Sequence, residues 1–207
     1  MPIRLVIGTR SAAKARELRD LLDVPGLDLV SLDALGLVEE IPEDGATFDD
    51  NAARKALGYA ALAGLPAVAD DSGLEVDALG GAPGVRTRRF AGPNASDSEN
   101  NAHLLHLLDG VPQERRTARY RCTLVLAARA GDATGIVATT HGTLEGHIAT
   151  APKGDGGFGY DPIFEPEGEP PGGLTLAEYA PVAKNRISHR GRAARAMRNE
   201  LERRFRD

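Results

Sequence analysis

From Ala118 to Ala128 every even position is apolar or aromatic: Ala118, Tyr120, Cys122, Leu124, Leu126 and Ala128. A period of two puts these side chains on one face, so the pattern predicts a strand. Two further strands are expected around 136–140 and 143–148. At the start of the chain, Ile3 to Gly8 reads as a buried strand. It runs through Thr9-Arg10-Ser11-Ala12-Ala13-Lys14 into a helix with the stripe Ala15, Leu18, Leu21 and Leu22, which Pro25-Gly26 ends. Leu27 to Leu32 predicts a second strand, and 41–46 an acidic loop. Thr47, with Asp50 three residues on, opens a second helix. Its alanines at 52, 53, 56, 60 and 61 give it a small-residue face, and Gly64 and Pro66 stop it. Ala67-Val68-Ala69 is a short strand that delivers Asp70 and Asp71 to a turn at Ser72-Gly73. Ser96-Asp97-Ser98-Glu99 is a capping box for a helix to about residue 108. A glycine-rich loop over 150–159 reaches Tyr160-Asp161-Pro162, the segment 165–173 reads as a solvated excursion, and a last helix begins near Ser188. Alternating strands and helices imply an α/β fold. The hairpin-like middle implies a mixed sheet.

The chain has 207 residues, 42% hydrophobic and 27% charged, the composition of a globular protein with a sizeable core. A single domain over residues 1–207 is expected. No apolar run approaches the roughly 18 residues of a membrane span. One cysteine, Cys122, excludes an intrachain disulfide, and the N-terminus shows no signal-peptide pattern, so a cytoplasmic location is expected. The net charge is −5, yet from Lys184 onward nine Lys/Arg stand against three Asp/Glu. The acidic remainder argues against a broad nucleic-acid surface.

Five segments carry candidate chemistry. Two adjacent carboxylates, Asp70 and Asp71, repel one another unless a cation or hydrogen-bond donors hold them. Magnesium prefers such oxygens and bridges them to phosphates, so the pair reads as a metal site with a carboxylate to activate water, or as a solvated turn. Thr9 to Lys14 is a strand-to-helix turn whose free N–H groups, hydroxyls and cations suit an anion. It lacks the glycines of a Walker loop and by itself also fits a capped surface helix. Glu43 is a candidate third metal carboxylate, and Lys55 a point charge for a phosphate. In Gly156-Gly157-Phe158-Gly159-Tyr160-Asp161-Pro162, glycines admit a flat ligand, Phe158 or Tyr160 can stack on a base, and Asp161 can accept from ring N–H groups. Lys184-Asn185-Arg186-Ile187-Ser188-His189-Arg190 is dense in donors that suit a keto oxygen of a purine, where an amino group would leave groups unpaired.

In this order the five segments resemble the inosine triphosphate pyrophosphatase family, which hydrolyses ITP, dITP and XTP. The matching runs are Thr9–Leu22, Thr47–Ala56, Ala69–Gly92, Gly156–Phe164 and Lys184–Ala193. The resemblance implies a long central mixed sheet flanked by helices, in two lobes with the active-site cleft between them, and a homodimer. It implies Mg2+-dependent release of pyrophosphate and a monophosphate. On matching positions Asp71 looks like the proton acceptor and a metal ligand, with Glu43 (or its neighbour Asp44) the second metal carboxylate and Asp70 in support. Thr9, Arg10, Ser11, Ala12, Ala13, Lys14, Lys55 and Ser72 match nucleotide-contacting positions. Phe158, Gly159, Tyr160, Asp161, Lys184, His189 and Arg190 match the set that reads the base. Ser11 and Ala13 depart from the family's usual Asn and Gly.

Two rivals follow from the same residues. One is a related pyrophosphatase aimed at pyrimidine or modified nucleotides. The other is a nucleotide- or RNA-binding protein without catalysis, suggested by the basic C-terminal helix. A stable nucleic-acid partner and a membrane are not expected.

Overall fold

The computed structural model describes residues 2–131 and 133–205. Its strands are β1 (Ile3–Ile7), β2 (Leu27–Ser31), β3 (Ala67–Val76), β4 (Thr117–Ala130), β5 (Ala133–Ile148) and β6 (Phe164–Pro166). Its α-helices are α1 (Ala12–Leu21), α2 (Phe48–Ala63), α3 (Asp97–Leu107), α4 (Pro181–Ile187) and α5 (His189–Phe205). The strands form one six-stranded sheet in the order β2-β1-β3-β4-β5-β6. β1 pairs in parallel with β2 and β3, and β5 pairs antiparallel with β6, so the sheet is mixed. The expected α/β class holds.

Two local expectations change. Ser72-Gly73 is not a turn: β3 continues through it to Val76. Leu74 and Val76 keep the inward alternation and are fully buried, and burial of that pair outweighs the turn preference of Ser-Gly. The strands expected at 136–140 and 143–148 are one strand, β5, which passes straight through Gly142.

The chain falls into two compact units. The first comprises residues 1–71, 122–142 and 190–207; the second comprises 72–121 and 143–189. In the first unit both faces of the sheet are covered. On one face Leu5, Ile7, Val68, Cys122, Leu124 and Leu126 pack against Leu18 and Leu22 of α1 and Ala193, Ala194, Met197 and Leu201 of α5. On the other, Val6, Val30, Ala67, Ala69, Val125 and Ala127 meet Ala52, Ala56, Tyr59 and Ala60 of α2. The alanines of α2 let the helix lie close to the sheet. Thr47 caps it by accepting from Asp50 N at 3.1 Å. In the second unit, Leu74, Val76, Tyr120, Leu144 and Ile148 form a core with Leu104 and Leu108 of the α3 region and with Tyr160, Ile163, Phe164 and Leu176. The capping box at Ser96 and Glu99 forms as expected.

Candidate active site

Successive residues of a strand point to opposite faces, and this separates the two carboxylates of β3. Val68 and Asp70 share the face that α1 and α5 cover; Ala69 and Asp71 share the face that α2 covers. Asp70 is fully buried. Its Oδ2 lies 3.2 Å from Lys14 Nζ and accepts from Arg190 Nε at 3.3 Å and Nη2 at 3.2 Å. Arg190 Nη1 reaches Glu17 Oε2 at 2.7 Å. Burial alone would push the Asp70 carboxyl up, but the charges of Lys14, Arg190 and Lys55 together outweigh it and hold it well below the usual carboxylate range. Cys122 packs in the same layer, where burial and the Asp70 charge push its thiol up to about 12. At neutral pH it is an inert core residue.

Asp71 has the reverse setting. Asn51 Nδ2 donates to its Oδ2 at 3.0 Å, and Lys55 Nζ stands 3.7 Å from its Oδ1. Burial pushes the Asp71 carboxyl above its ordinary value; Lys55, Lys14 and the Asn51 hydrogen bond offset this only in part. Lys55 is itself buried, which lowers its pKa, but Asp70, Asp71 and Glu43 raise it by more, so it stays cationic. Its ammonium also lies 3.1 Å from Glu43 Oε1. Glu43 and Asp71 therefore share one cation, whereas Asp44 pairs with Arg54 at an exposed position. α2 is fixed at its N-terminal end by Asp49, which accepts from the Thr123 hydroxyl at 2.6 Å and meets His141 Nε2 at 3.0 Å.

Among the described residues no three His, Cys, Asp or Glu side chains converge on a common metal position. Asp70 and Asp71 do not form one metal site: Asp70 meets Lys14 and Arg190 on the face opposite Asp71 and supports the frame. What remains is two hard carboxylates gathered round a single ammonium. That donor set fits magnesium, which commonly takes one or two carboxylates and completes its shell with water and substrate phosphate.

The Thr9–Lys14 turn forms the N-terminus of α1. Ser11 Oγ caps the helix, accepting from Lys14 N at 3.4 Å, and Ser11 N donates to Thr9 Oγ1 at 3.2 Å. Ala12 and Ala13 are the first helical residues. Arg10 turns elsewhere: its guanidinium donates to Asp33 Oδ1 at 3.1 Å and to the carbonyls of Leu37 and Glu39 at 2.7 and 2.9 Å, fastening the 33–39 loop.

The second unit holds a second cluster. Asp161 Oδ2 accepts from Phe158 N and from Lys184 Nζ, each at 2.8 Å, and Lys184 Nζ also stands 4.7 Å over the Phe158 ring. The loop needs glycine at 157, where φ is +70° and a Cβ would overlap Asp161 Oδ2. Phe158 and Gly159 are half-buried. Tyr160 is not: its ring lies in the core and its hydroxyl donates to the Thr87 carbonyl at 2.8 Å, so it offers no face for stacking, contrary to expectation. His189 is buried and stacks on Tyr120 at 4.5 Å with the rings 5° from parallel. Ser72, the first residue of this unit, is buried in β3.

Sequence reasoning missed three supporting residues. Asn51 orients Asp71, and its Oδ1 accepts from Gly45 N at 2.8 Å. Asn51 and Lys55 are four apart on a helix otherwise buried through Ala52, Ala56, Tyr59 and Ala60, and that spacing is a readable signal. Asp97 and Asn101, again four apart, bracket Gly159: Asp97 accepts from its N–H at 2.6 Å and Asn101 donates to its carbonyl at 3.1 Å.

The Ham1 family model matches residues 5–200. A dITP/XTP pyrophosphatase of Methylococcus capsulatus is 48% identical over 198 residues, 96% of each chain. One of Geobacter sulfurreducens is equally similar over the same shares. Among solved structures, a HAM1 protein from Coxiella burnetii superposes with a TM-score of 0.84 at 37% identity, covering 97% of this chain and 99% of its own. A nucleoside-triphosphatase/dITP/XTP pyrophosphatase from Mycobacterium abscessus gives a TM-score of 0.72 at 42% identity, covering 94% and 98%.

Proposed function

The chain belongs to the Ham1 family, and from that premise we propose that it hydrolyses the non-standard purine nucleoside triphosphates dITP, ITP and XTP to the monophosphate and pyrophosphate. The observation that carries the reading is the setting of Asp71, a buried carboxylate with a raised pKa, aimed by Asn51 and faced by Lys55. A carboxylate so placed is a competent proton acceptor. Water attacks the α-phosphorus; the new bond runs from the water oxygen to that phosphorus. The bond to the bridging α–β oxygen breaks, pyrophosphate leaves with that electron pair, and the water proton passes to an Asp71 oxygen.

Thr9, Ser11 and the first N–H groups of α1 take phosphate oxygens, with Lys14 and Lys55 supplying charge. Glu43 and Asp71 would hold Mg2+, which when bound supplies charge neutralisation at the phosphates. Phe158 offers a ring to the base, while Lys184 and His189 supply donors for a keto oxygen. Arg190, committed to Asp70 and Glu17, supports the frame instead of meeting the base. The same reading has the enzyme acting as a cytoplasmic homodimer. Among the described residues, no helix is long and apolar enough to cross a membrane.

The test is product analysis with magnesium and dITP, XTP, dGTP and dATP in parallel, with Asp71→Asn as control. Pyrophosphate and monophosphate from dITP and XTP, scarcely from dATP or dGTP, is the expected result. Orthophosphate release would mean attack at another phosphorus and overturn the mechanism.

A further inference from the structure

The second unit contains an open pocket of about 570 Å3 lined by Arg86, Arg89, Phe90 and His103 and by the short run 91–93. None of its lining residues is acidic. Phe90 and His103 meet edge to face, with ring centroids 5.0 Å apart and planes at 64°, and form an aromatic corner. Phe90 is half-buried and both arginines are exposed. The residues belong to the 3-10 turn Gly84–Arg89, the loop after it, and α3. None of them takes part in the proposed hydrolysis.

The arginine-bearing loop is fastened on several sides. Thr87 Oγ1 accepts from Leu74 N at 3.1 Å, and the Thr87 carbonyl accepts from Tyr160. Asn100, itself buried, donates to the Arg88 carbonyl at 3.1 Å and accepts from Ala91 N at 2.9 Å. A loop held this firmly presents its side chains without having to order on binding. Arg86, Arg88 and Arg89 fall within four positions on a chain of net charge −5, so positive potential is concentrated there. Guanidinium forks match phosphate oxygens in pairs. Half-buried rings beside them suit a planar group. The volume lies within the range of small-ligand sites, roughly 300–1,000 Å3.

We propose that this pocket binds a phosphate monoester carried on a planar ring, the size of a nucleoside monophosphate, with Arg86 and Arg89 on the phosphate and Phe90 and His103 against the ring. The test is a titration of the intact protein with adenosine monophosphate, followed through the imidazole proton resonance of His103, which is assigned by its loss in His103→Gln. The expected result is a saturating shift that Arg86→Gln/Arg89→Gln weakens at least about tenfold. Should the double variant unfold, Arg86→Gln alone, at an exposed residue, gives the same reading. Inorganic phosphate binding as tightly would overturn the proposal, because the rings would then contribute nothing. So would a His103 resonance that ignores the nucleotide, or one that moves with protein concentration instead. The readout is binding and not turnover, so it stands or falls separately from the hydrolytic reading.

Discussion

Asp70 and Asp71 are neighbours on one strand, held in opposite electrostatic states. The first is pinned as a carboxylate by Lys14 and Arg190; the second is pushed towards its protonated form by burial that Lys55 and Asn51 offset only in part. One covalent step thus separates a framework charge from a candidate base.

Asp71→Asn should lower turnover on dITP by about 10²–10⁴, the usual worth of a positioned base. It should not lower stability. The folded pKa of Asp71 is raised, so its contribution to stability is full below the unfolded value of 3.8 and is lost as pH rises through the folded value. At pH 7 the variant should melt at or above the wild-type temperature, with the gap closing towards pH 4. A large fall in melting temperature at pH 7 would contradict this.

Asp70→Asn should have the opposite signature. It removes the Asp70 partner of the fully buried Arg190, and removing one partner of a buried pair costs about 3–5 kcal/mol. The folded pKa of Asp70 is depressed, so its contribution is present above the unfolded value of 3.8 and is lost as pH falls through the folded one. Urea denaturation at pH 7 and pH 5 should show the same penalty at both.

Asn51→Ala removes the hydrogen bond that lowers the Asp71 pKa. The acidic limb of the kcat/KM profile should move to higher pH, with activity on the plateau reduced by roughly tenfold. A purely structural role for Asn51 would lower activity without moving that limb.

Glu43→Gln should raise the magnesium concentration needed for half-maximal activity, and Asp44→Asn should not, because Glu43 shares Lys55 with Asp71 while Asp44 pairs with Arg54. Chelation should abolish turnover in the wild type and added Mg2+ restore it. Equal effects of the two substitutions would reopen the assignment.

Gly157→Ala forces a side chain into a left-handed backbone conformation and against Asp161. Displacing Asp161 disturbs Lys184 and Phe158 together, so the KM for dITP should rise by roughly tenfold or more, with kcat affected less. A fall in kcat at unchanged KM would show that this loop does not hold the base.

Local devices were the legible part of the sequence. Ser96 and Glu99 cap α3, Thr47 caps α2, and the alternation from Ala118 to Ala128 is β4. Asp71, Lys55 and Glu43 come from separate candidate segments, and the fold gathers them round one ammonium. Other features depended on distant partners. Nothing near Asp70 announces that Arg190 and Lys14 will neutralise it on the face opposite Asp71, and so the two carboxylates read as one metal site. Ser72-Gly73 reads as a turn until Leu74 and Val76 find a core to enter. The glycine-rich flank of Tyr160 suggests an exposed stacking ring, whereas its hydroxyl is anchored to Thr87 within the unit.

The first unit is assembled from three stretches of chain, the last of which begins at Arg190. During synthesis, residues 1–71 leave the ribosome long before the guanidinium that offsets Asp70, which lies 120 positions downstream. Until α5 arrives, the end of β3 carries a carboxylate whose burial would leave it short of positive charge, and this face of the sheet lacks Ala193, Met197 and Leu201. A nascent chain therefore keeps that face wet and its base unframed. Premature termination between β3 and α5 yields a polypeptide with every residue assigned to phosphate but without the charge balance that lets them close into a folded unit.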